Sequence, residues 1–287
     1  MEANSIIIRP MQAGDAPAAM KLSAAEGWNQ TANDWNFFIA DPRNICIAAV
    51  CEKELIATTM AINYSGRLAW IGMVLVNKAY RGRGISKLLL DHVFGRLKHF
   101  PSVKLDATAQ GQRVYKKFGF KDEYRIARMV NTAAKKIAIP GGGALPEPIR
   151  LEHIPEIIAL DEIVFGVNRT PLIEMLVRTH PHKAWVLLQN NQVTGFVLGR
   201  DGSKYHHIGP VIAQTQSGAN LLMLHARNQL TGKPVVVDVL CDKEELMYSL
   251  TAVGFSPQRY FTRMYKAENP FPGTSSKLYA ICGPEFG

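Results

Sequence analysis

The chain has 287 residues, of which 47% are apolar and 20% are charged, so its composition excludes a disordered class and allows one large or two ordinary domains. The formal net charge of +9 predicts an anionic partner, which could be a phosphorylated cofactor, a nucleic acid or a membrane surface. Lysine and arginine are scattered and form no block of five or six. This pattern favours a cofactor, and we expect neither a nucleic acid nor a membrane as a partner.

The four cysteines, Cys46, Cys51, Cys241 and Cys282, form no Cys-x-x-Cys pair, so neither a zinc knuckle nor a redox motif is indicated. So few cysteines in a long chain predict free thiols in a reducing compartment. The first residues lack the basic and apolar regions of a secretory signal, and apolar runs reach only about seven residues, whereas a membrane span needs about 18. We therefore expect a cytoplasmic protein.

The apolar and turn patterns of the first half predict a mixed α/β order, in which hairpins precede a strand–turn–helix unit. Gly27 is predicted to end the first helix and Asp34 to cap the second. The third helix is predicted to bury a face made of Ile85, Leu88, Leu89, Val93 and Leu97. The predicted strands span 5–9, 44–50, 55–64, 68–76 (a central strand), 103–107 and 124–131, and the predicted helices span 16–27, 34–40, 85–99 and 112–118.

The chain repeats two short landmarks in the same order. The segment 71–74, Ile-Gly-Met-Val, recurs at 208–211 as Ile-Gly-Pro-Val, and a Gly-Phe pair followed nine residues later by Arg-Met occurs at 119 and again at 254. The landmarks are 47 residues apart in one half and 45 in the other. This spacing predicts two tandem copies of one α/β domain with a mixed sheet, at 1–136 and 150–287, joined by a Gly- and Pro-rich linker at 137–149.

The most informative stretch is the glycine-rich turn, residues 80–86, which reads Tyr-Arg-Gly-Arg-Gly-Ile-Ser between the predicted central strand and the third helix. Backbone N–H groups at a helix N-terminus are unpaired and attract anions. Glycines at 82 and 84 remove the Cβ atoms that would keep a phosphate away. The turn therefore predicts an anion-binding site, and the nucleotide-binding pattern Gly-x-x-x-x-Gly-Lys-(Ser/Thr) is absent.

Arg81-x-x-Gly84-x-Ser86 resembles the (Gln/Arg)-x-x-Gly-x-(Gly/Ala) loop of the GNAT N-acetyltransferase superfamily. The later segment 114–120, Val-Tyr-Lys-Lys-Phe-Gly-Phe, is similar to that superfamily's helix with the pattern Leu-Tyr-x-Lys-x-Gly-Phe. The resemblance covers residues 5–131. The whole chain is similar to bacterial two-copy GNAT proteins with a diverged second half, including the ending 279–287.

The resemblance implies acetyl-CoA as cosubstrate and an amine of a small molecule or peptide as acceptor. It implies that the Val74 amide binds the acetyl carbonyl and that Tyr115 protonates the departing thiolate. Thr108 stands where the family usually carries Asn at the start of the later helix. The resemblance further implies that coenzyme A contacts Val76, Arg81, Gly82, Arg83, Gly84, Ile85, Ser86 and Lys87.

The general base is left open by the sequence. An alkylamine with a pKa near 10.4 costs about 5 kcal/mol to deprotonate at pH 7, so a base, a water chain or a desolvated pocket is needed. Glu26, Glu52, Glu54, Asp106 and bulk water are the alternatives. The candidates for the acceptor wall lie early in the chain and are Trp28, Asn29, Trp35 and Phe38. Packing in the core is the alternative role for Trp35 and Phe38.

The second half is predicted to have lost the residues that acetyl transfer requires. Pro210 replaces Met73 and has no N–H, Leu250 replaces Tyr115, and the segment 214–220 contains one glycine and no arginine or lysine. Residues 150–287 are therefore predicted to shape the acceptor pocket or to stabilise the first copy. No third ligand at metal-binding spacing accompanies the histidines His180, His182, His206 and His207, so we expect no bound metal. An alternative role for these histidines is to face the acceptor.

Three functions remain open on sequence alone. The first is an N-acetyltransferase that acts on an amine. The second is a non-catalytic acyl-CoA-binding regulator, and the third is a nucleic-acid-associated protein that uses the positive charge. The sequence favours the first and identifies neither the acceptor nor the oligomeric state.

Overall fold

The computed structural model describes residues 6–138 and 145–287. Residues 139–144 of the predicted linker lie outside the described residues, and the predicted domain limits stay a prediction. Within the described ranges, no helix combines the length and the apolar character needed to cross a membrane. The cysteines are free thiols, at Cys46, Cys51, Cys241 and Cys282.

Strands and helices alternate in the same way in both halves. The first half contains β1 (Ile7–Pro10), α1 (Ala16–Ala25), α2 (Ala32–Ala40), β2 (Ile45–Cys51), β3 (Glu54–Tyr64), β4 (Leu68–Val76), α3 (Ile85–Arg96), β5 (Ser102–Thr108), α4 (Ala109–Lys117) and β6 (Phe120–Asn131). The second contains β7 (Glu147–Pro148), α5 (Ile154–Phe165), α6 (Thr170–Thr179), β8 (Trp185–Gln189), β9 (Gln192–Arg200), β10 (His206–Ala213), α7 (Gln216–Asn228), β11 (Val235–Leu240), α8 (Glu244–Ala252), β12 (Ser256–Lys266) and β13 (Leu278–Ala280).

All thirteen strands of the described residues form one continuous mixed sheet in the order β1-β2-β3-β4-β5-β12-β6-β11-β13-β10-β9-β8-β7. The pairs β4–β5 and β10–β11 are parallel, and the other neighbouring pairs are antiparallel. The mixed α/β class predicted from the sequence is therefore confirmed.

The two halves exchange their last strands. β12, from the second half, lies between β5 and β6, and β6, from the first half, pairs with β11. Met129 on β6 packs into the apolar core beneath α7 and α8, whereas Met264 on β12 packs into the core beneath α3. A third core cluster joins residues of α1 and α2 to residues of α5 and α6. The halves consequently share one hydrophobic interior.

Each exchanged strand carries a buried arginine that pairs with an aspartate of the other half. Arg128 on β6 makes two hydrogen bonds of 2.7 Å to Asp238 on β11, and Arg263 on β12 makes two of 2.9 Å to Asp106 on β5. Each arginine also lies opposite its aspartate in the strand register. The repeated Arg-Met landmarks of the sequence are therefore the residues that join the two halves.

We expect Asp238→Asn to lower the free energy of unfolding by about 3–5 kcal/mol, because it leaves the buried Arg128 guanidinium without a counter-charge. Asp242→Asn is the matched control: Asp242 is exposed, pairs with Lys243 at 3.2 Å, and should cost less than about 1 kcal/mol. Denaturant unfolding followed by circular dichroism measures both. Similar losses in the two variants would contradict a stabilising role for the pair between halves.

Two local predictions are wrong. Thr31 caps α2, and Asp34 is the third helical residue, whose carboxylate bonds back to the Thr31 amide at 2.7 Å. The two residues form a reciprocal capping box, so the acidic residue belongs inside the first turn. Leu88 is 48% exposed, and Leu90 is buried in its place on the inner face of α3. Trp35 and Phe38 are fully buried in the core.

Candidate active site

A cleft opens where β4 and β5 stop pairing. Their parallel register runs from Leu68 opposite Ser102 to Ile71 opposite Leu105, and it continues no further. On the other side of β4, the register with β3 shifts between Thr58 and Met60. Within the described sheet, β4 therefore has no partner on the β5 side after Ile71, and Met73 and Val74 also have none on the β3 side.

The irregularity in β4 centres on Met73, whose φ of 54° is a left-handed value that non-glycine residues rarely adopt. The Thr58 hydroxyl donates a hydrogen bond of 2.9 Å to the Met73 carbonyl, which satisfies that group. Among the described strands, Val74 has no partner opposite it in β3 or β5. Val74 is half-buried and lines the cleft, and a backbone amide with no strand residue opposite it is a group with which a ligand can pair.

The glycine-rich turn leads from β4 into α3. Gly82 and Gly84 have φ values of 79° and 76°, and a Cβ added to either would meet no atom within 4 Å. Gly84 is the N-cap of α3 and contributes no side-chain hydrogen bond. The first amides of α3 are consequently left for an anion to bind, in open space that only glycine leaves at this backbone conformation.

A cavity of about 840 Å³ extends from the glycine-rich turn along the cleft. Its wall brings together most of the predicted site residues: Glu26, Trp28, Val74, Val76, Arg81, Gly82, Gly84, Ile85, Ser86, Thr108 and Tyr115. Thr108 caps α4 by accepting a hydrogen bond of 3.2 Å from the Gly111 amide, so it stands at the start of the helix as its register predicts. A volume of this size suits a cofactor and a small acceptor together.

Arg83 and Lys87, which were predicted to contact coenzyme A, and Asn29, a candidate for the acceptor wall, lie outside the cavity wall. The Arg83 guanidinium stacks on the Tyr80 ring at 5.1 Å, and the Lys87 ammonium pairs with Asp91 at 2.6 Å. The Asn29 side chain accepts hydrogen bonds of 2.9 Å from the Lys204 and Tyr205 amides. Asn29 therefore ties the loop after α1 to the second half.

Tyr115 points into the cavity from α4. Its ring passes Gly111, where an added Cβ would come within 3.1 Å of the ring, so the small residue one turn earlier leaves the ring its space. Burial raises the pKa of the Tyr115 phenol well above its ordinary value. The hydroxyl is therefore neutral throughout the physiological pH range and can donate a proton.

The candidate bases have different surroundings. Glu26 pairs with Arg81 at 2.5 Å, and Asp106 is bound at both oxygens by Arg263. Burial raises the pKa of Asp106 above its ordinary value, against the opposing effect of Arg263. Glu52 and Glu54 are exposed and lie outside the cavity wall.

The cavity wall also includes residues of the exchanged strands and the chain terminus that the sequence analysis missed: Arg125, Arg128, Arg259, Tyr260, Phe261, Pro284 and Glu285. Glu285 is 3% exposed and pairs with Arg200. The terminal segment is held in place by three hydrogen bonds to its carbonyls, from Trp70 to Pro284 at 3.0 Å, Tyr64 to Phe286 at 2.8 Å and Arg169 to Gly287 at 2.8 Å. The repeated Arg-Met landmarks were the one sequence signal that could have indicated these strands.

In the second half the corresponding cleft is filled by protein. β10 and β11 pair in parallel only as far as Ile208 opposite Val237, and β13 then lies between them, with Ala280 opposite both Val211 and Val239. Leu250, at the position of Tyr115, is fully buried. The four histidines lie outside the cavity wall; His206 bonds Asp201 at 2.8 Å and His207 bonds Asp238 at 3.2 Å.

Comparison with known proteins agrees with this architecture. A model described as the acetyltransferase (GNAT) family matches residues 16–120, and one described as an acetyltransferase (GNAT) domain matches 157–280. The chain is 27% identical to holothin acyltransferase of Pseudoalteromonas sp. (strain SANK 73390) over 265 residues, covering 92% of this chain and 88% of that protein.

Two solved structures share the fold. A putative acetyltransferase from Pyrococcus horikoshii superposes with a TM-score of 0.81 at 22% identity, over 100% of this chain and 98% of that one. A tandem GNAT protein from the clavulanic acid biosynthesis pathway superposes with a TM-score of 0.66 at 13% identity, over 91% of this chain and 98% of that one.

The family matches fall one in each half, on either side of the predicted linker. They coincide with the two copies that the repeated landmarks and the exchanged strands define. The chain therefore belongs to the GNAT acetyltransferase superfamily, carries two of its domains and is an acyltransferase.

Proposed function

We propose that the chain transfers an acetyl group from acetyl-CoA to a primary amine of a small molecule or peptide. The observation that carries this proposal is one cavity that contains an uncapped helix N-terminus, an unpaired backbone amide and a neutral tyrosine. These are respectively a phosphate-binding, an oxyanion-binding and a proton-donating group. The first copy holds acetyl-CoA in this account, and the second completes the acceptor end.

Individual residues of the first copy can be matched to individual chemical groups of coenzyme A. The amides after Gly84 would hold the pyrophosphate, because they are positive and uncapped, and the Arg81 guanidinium, which bonds Glu26 and the Val76 carbonyl, would add positive charge beside them. Val76 would pair with the pantetheine arm, and Val74 would hold the acetyl oxygen at the break in β4. When bound, acetyl-CoA supplies an activated thioester whose thiolate is a good leaving group.

The acceptor amine would attack the thioester carbonyl directly, through a tetrahedral intermediate whose oxyanion the Val74 amide stabilises. Tyr115 would give its proton to the departing thiolate, which its neutral state at pH 7 allows. Glu26 and Trp28 would lie beside the amine, and Thr108 fixes the start of α4 near the reacting atoms. A water chain along the cavity is the proposed route for the proton that the amine loses.

Release of free thiol from acetyl-CoA, measured with a panel of primary amines that includes holothin, tests the proposal. We expect thiol release that depends on the amine, and mass spectrometry should find the amine heavier by one acetyl group. Saturable coenzyme A binding without thiol release from any amine would contradict acetyl transfer and would support a regulator that binds acyl-CoA.

A further inference from the structure

The carboxylates on the cavity wall all have partners within the protein, whereas some of the arginines there have none among the described residues. The carboxylates there are all paired with arginines of the protein: Glu26 with Arg81, Asp106 with Arg263, and Glu285 with Arg200. No carboxylate among the described wall residues is therefore left to neutralise a further cation.

The arginines of the wall include two without a partner. Arg128 is bound by Asp238, but the guanidinium groups of Arg125 and Arg259 make no hydrogen bond or ion pair to any part of the chain that the structure describes. Arg259 is half-buried on β12 and lies opposite Arg128 in the strand register. Burial lowers the pKa of its guanidinium, as does the charge of Arg128, while the charges of Asp238 and Glu26 act in the opposite direction. Arg259 is thus a partly desolvated cation, and the carboxylates that act on it are already paired with Arg128 and Arg81.

Arg125, on the neighbouring strand β6, lies opposite Thr262, three residues from the pair Arg128 and Arg259, so its side chain projects from the other face of the sheet. Its guanidinium lies 4.9 Å from the centre of the Tyr260 ring, which covers one of its faces. Among the described wall residues, Arg259 is therefore the guanidinium without a partner on its own face of the sheet. A planar group with several donors suits the two oxygens of a carboxylate.

We propose that the acceptor amine also carries a carboxylate, which Arg259 binds. The inference rests on the proposed function, because it assigns this part of the cavity wall to the acceptor. The lack of an ion-pair partner for Arg259 among the described residues then has a physical reason, because the carboxylate of the substrate supplies that partner. Coenzyme A is the other anion available, but its pyrophosphate already has the amides of α3 and Arg81 at the glycine-rich turn.

The experiment compares binding of matched amines in the presence of saturating coenzyme A, measured by calorimetry. The pairs are 4-(aminomethyl)benzoate with benzylamine and 6-aminohexanoate with hexylamine, so that each pair differs in the carboxylate. We expect the carboxylate member to bind roughly 10- to 100-fold more tightly, as a charge-assisted bidentate contact allows. Arg259→Gln should remove that preference, and Arg259→Lys should retain part of it.

Arg178→Gln is the matched control, because Arg178 is an exposed arginine on α6 outside the cavity wall. It should leave the preference unchanged, and thermal unfolding checks that all variants are folded. Equal binding of both members of each pair to the unaltered protein would overturn the proposal. So would weaker coenzyme A binding in Arg259→Gln with equal losses for both amines, because the guanidinium would then serve the cofactor. A carboxylate preference without any thiol release would support the site while contradicting acetyl transfer.

Discussion

Gly84→Asp should reduce coenzyme A affinity by roughly 100-fold or more. The substitution places a carboxylate at the uncapped N-terminus of α3, where a like charge at about 4 Å from a phosphate costs roughly 1–4 kcal/mol. The strain of a side chain on this left-handed residue, about 1–2 kcal/mol, is present with and without the ligand, so it lowers stability and not affinity. The charge repulsion exceeds the favourable effect of the helix dipole on one phosphate. Titration of the protein with coenzyme A, followed by calorimetry, measures the loss.

Two variants separate the causes. Ser217→Asp introduces the same charge in the first turn of α7, the corresponding helix of the second half, where Ser217 is exposed and Thr215 caps the helix. Coenzyme A binding should survive there, because β13 fills the cleft beside that helix. Gly84→Ala adds a Cβ in open space without a charge and should cost less than tenfold. Equal losses in Gly84→Asp and Ser217→Asp would refute the assignment of the cofactor to the first copy.

The parts of the fold that depend on neighbouring residues could be predicted from the sequence. The strand at 68–76 has its predicted bounds, because a nearly continuous apolar run bounded by Gly66 and Asn77 fixes a buried strand locally. The glycine-rich turn was predictable for the same reason, since strand, turn and helix are consecutive. The face of α3 was less certain, because Leu88, Leu89 and Leu90 are adjacent and periodicity alone does not decide which two point inward.

The exchange of strands could not be predicted. Periodicity indicates that residues 256–266 form a strand, but it does not say which sheet that strand joins. The landmark Arg263-Met264 repeats Arg128-Met129, and only the fold shows that each pair serves the opposite half. This part of the cavity wall depends on the exchange, because it joins Arg125, Tyr260 and Glu285, which are far apart in the sequence.

The duplication also explains why one copy could keep the chemistry while the other lost it. The same break after the parallel pairing occurs in both halves, at Ile71 and at Ile208. In the second half β13 closes the break, and the chain continues from Ala280 to Glu285 on the cavity wall of the first half. The segment that fills one cleft therefore helps to build the wall of the other.

Tyr115→Phe should lower kcat by roughly 100-fold or more while leaving coenzyme A affinity within about twofold. The ring keeps its place against Gly111, so binding surfaces are retained, and only the proton for the departing thiolate is lost. Because burial keeps the phenol neutral, the loss should be similar across neutral pH. Tyr248→Phe is the control, since Tyr248 is 78% exposed on α8.

The comparison of kcat with coenzyme A affinity distinguishes the possible roles of Tyr115. A proton donor acts on the reacting atoms in the transition state, so its removal lowers kcat with little change in ground-state binding. A residue that only shapes the pantetheine site would instead weaken coenzyme A binding when it is altered. If Tyr115→Phe kept its full rate, the thiolate would leave without a proton from α4, and solvent along the cavity would have to protonate it.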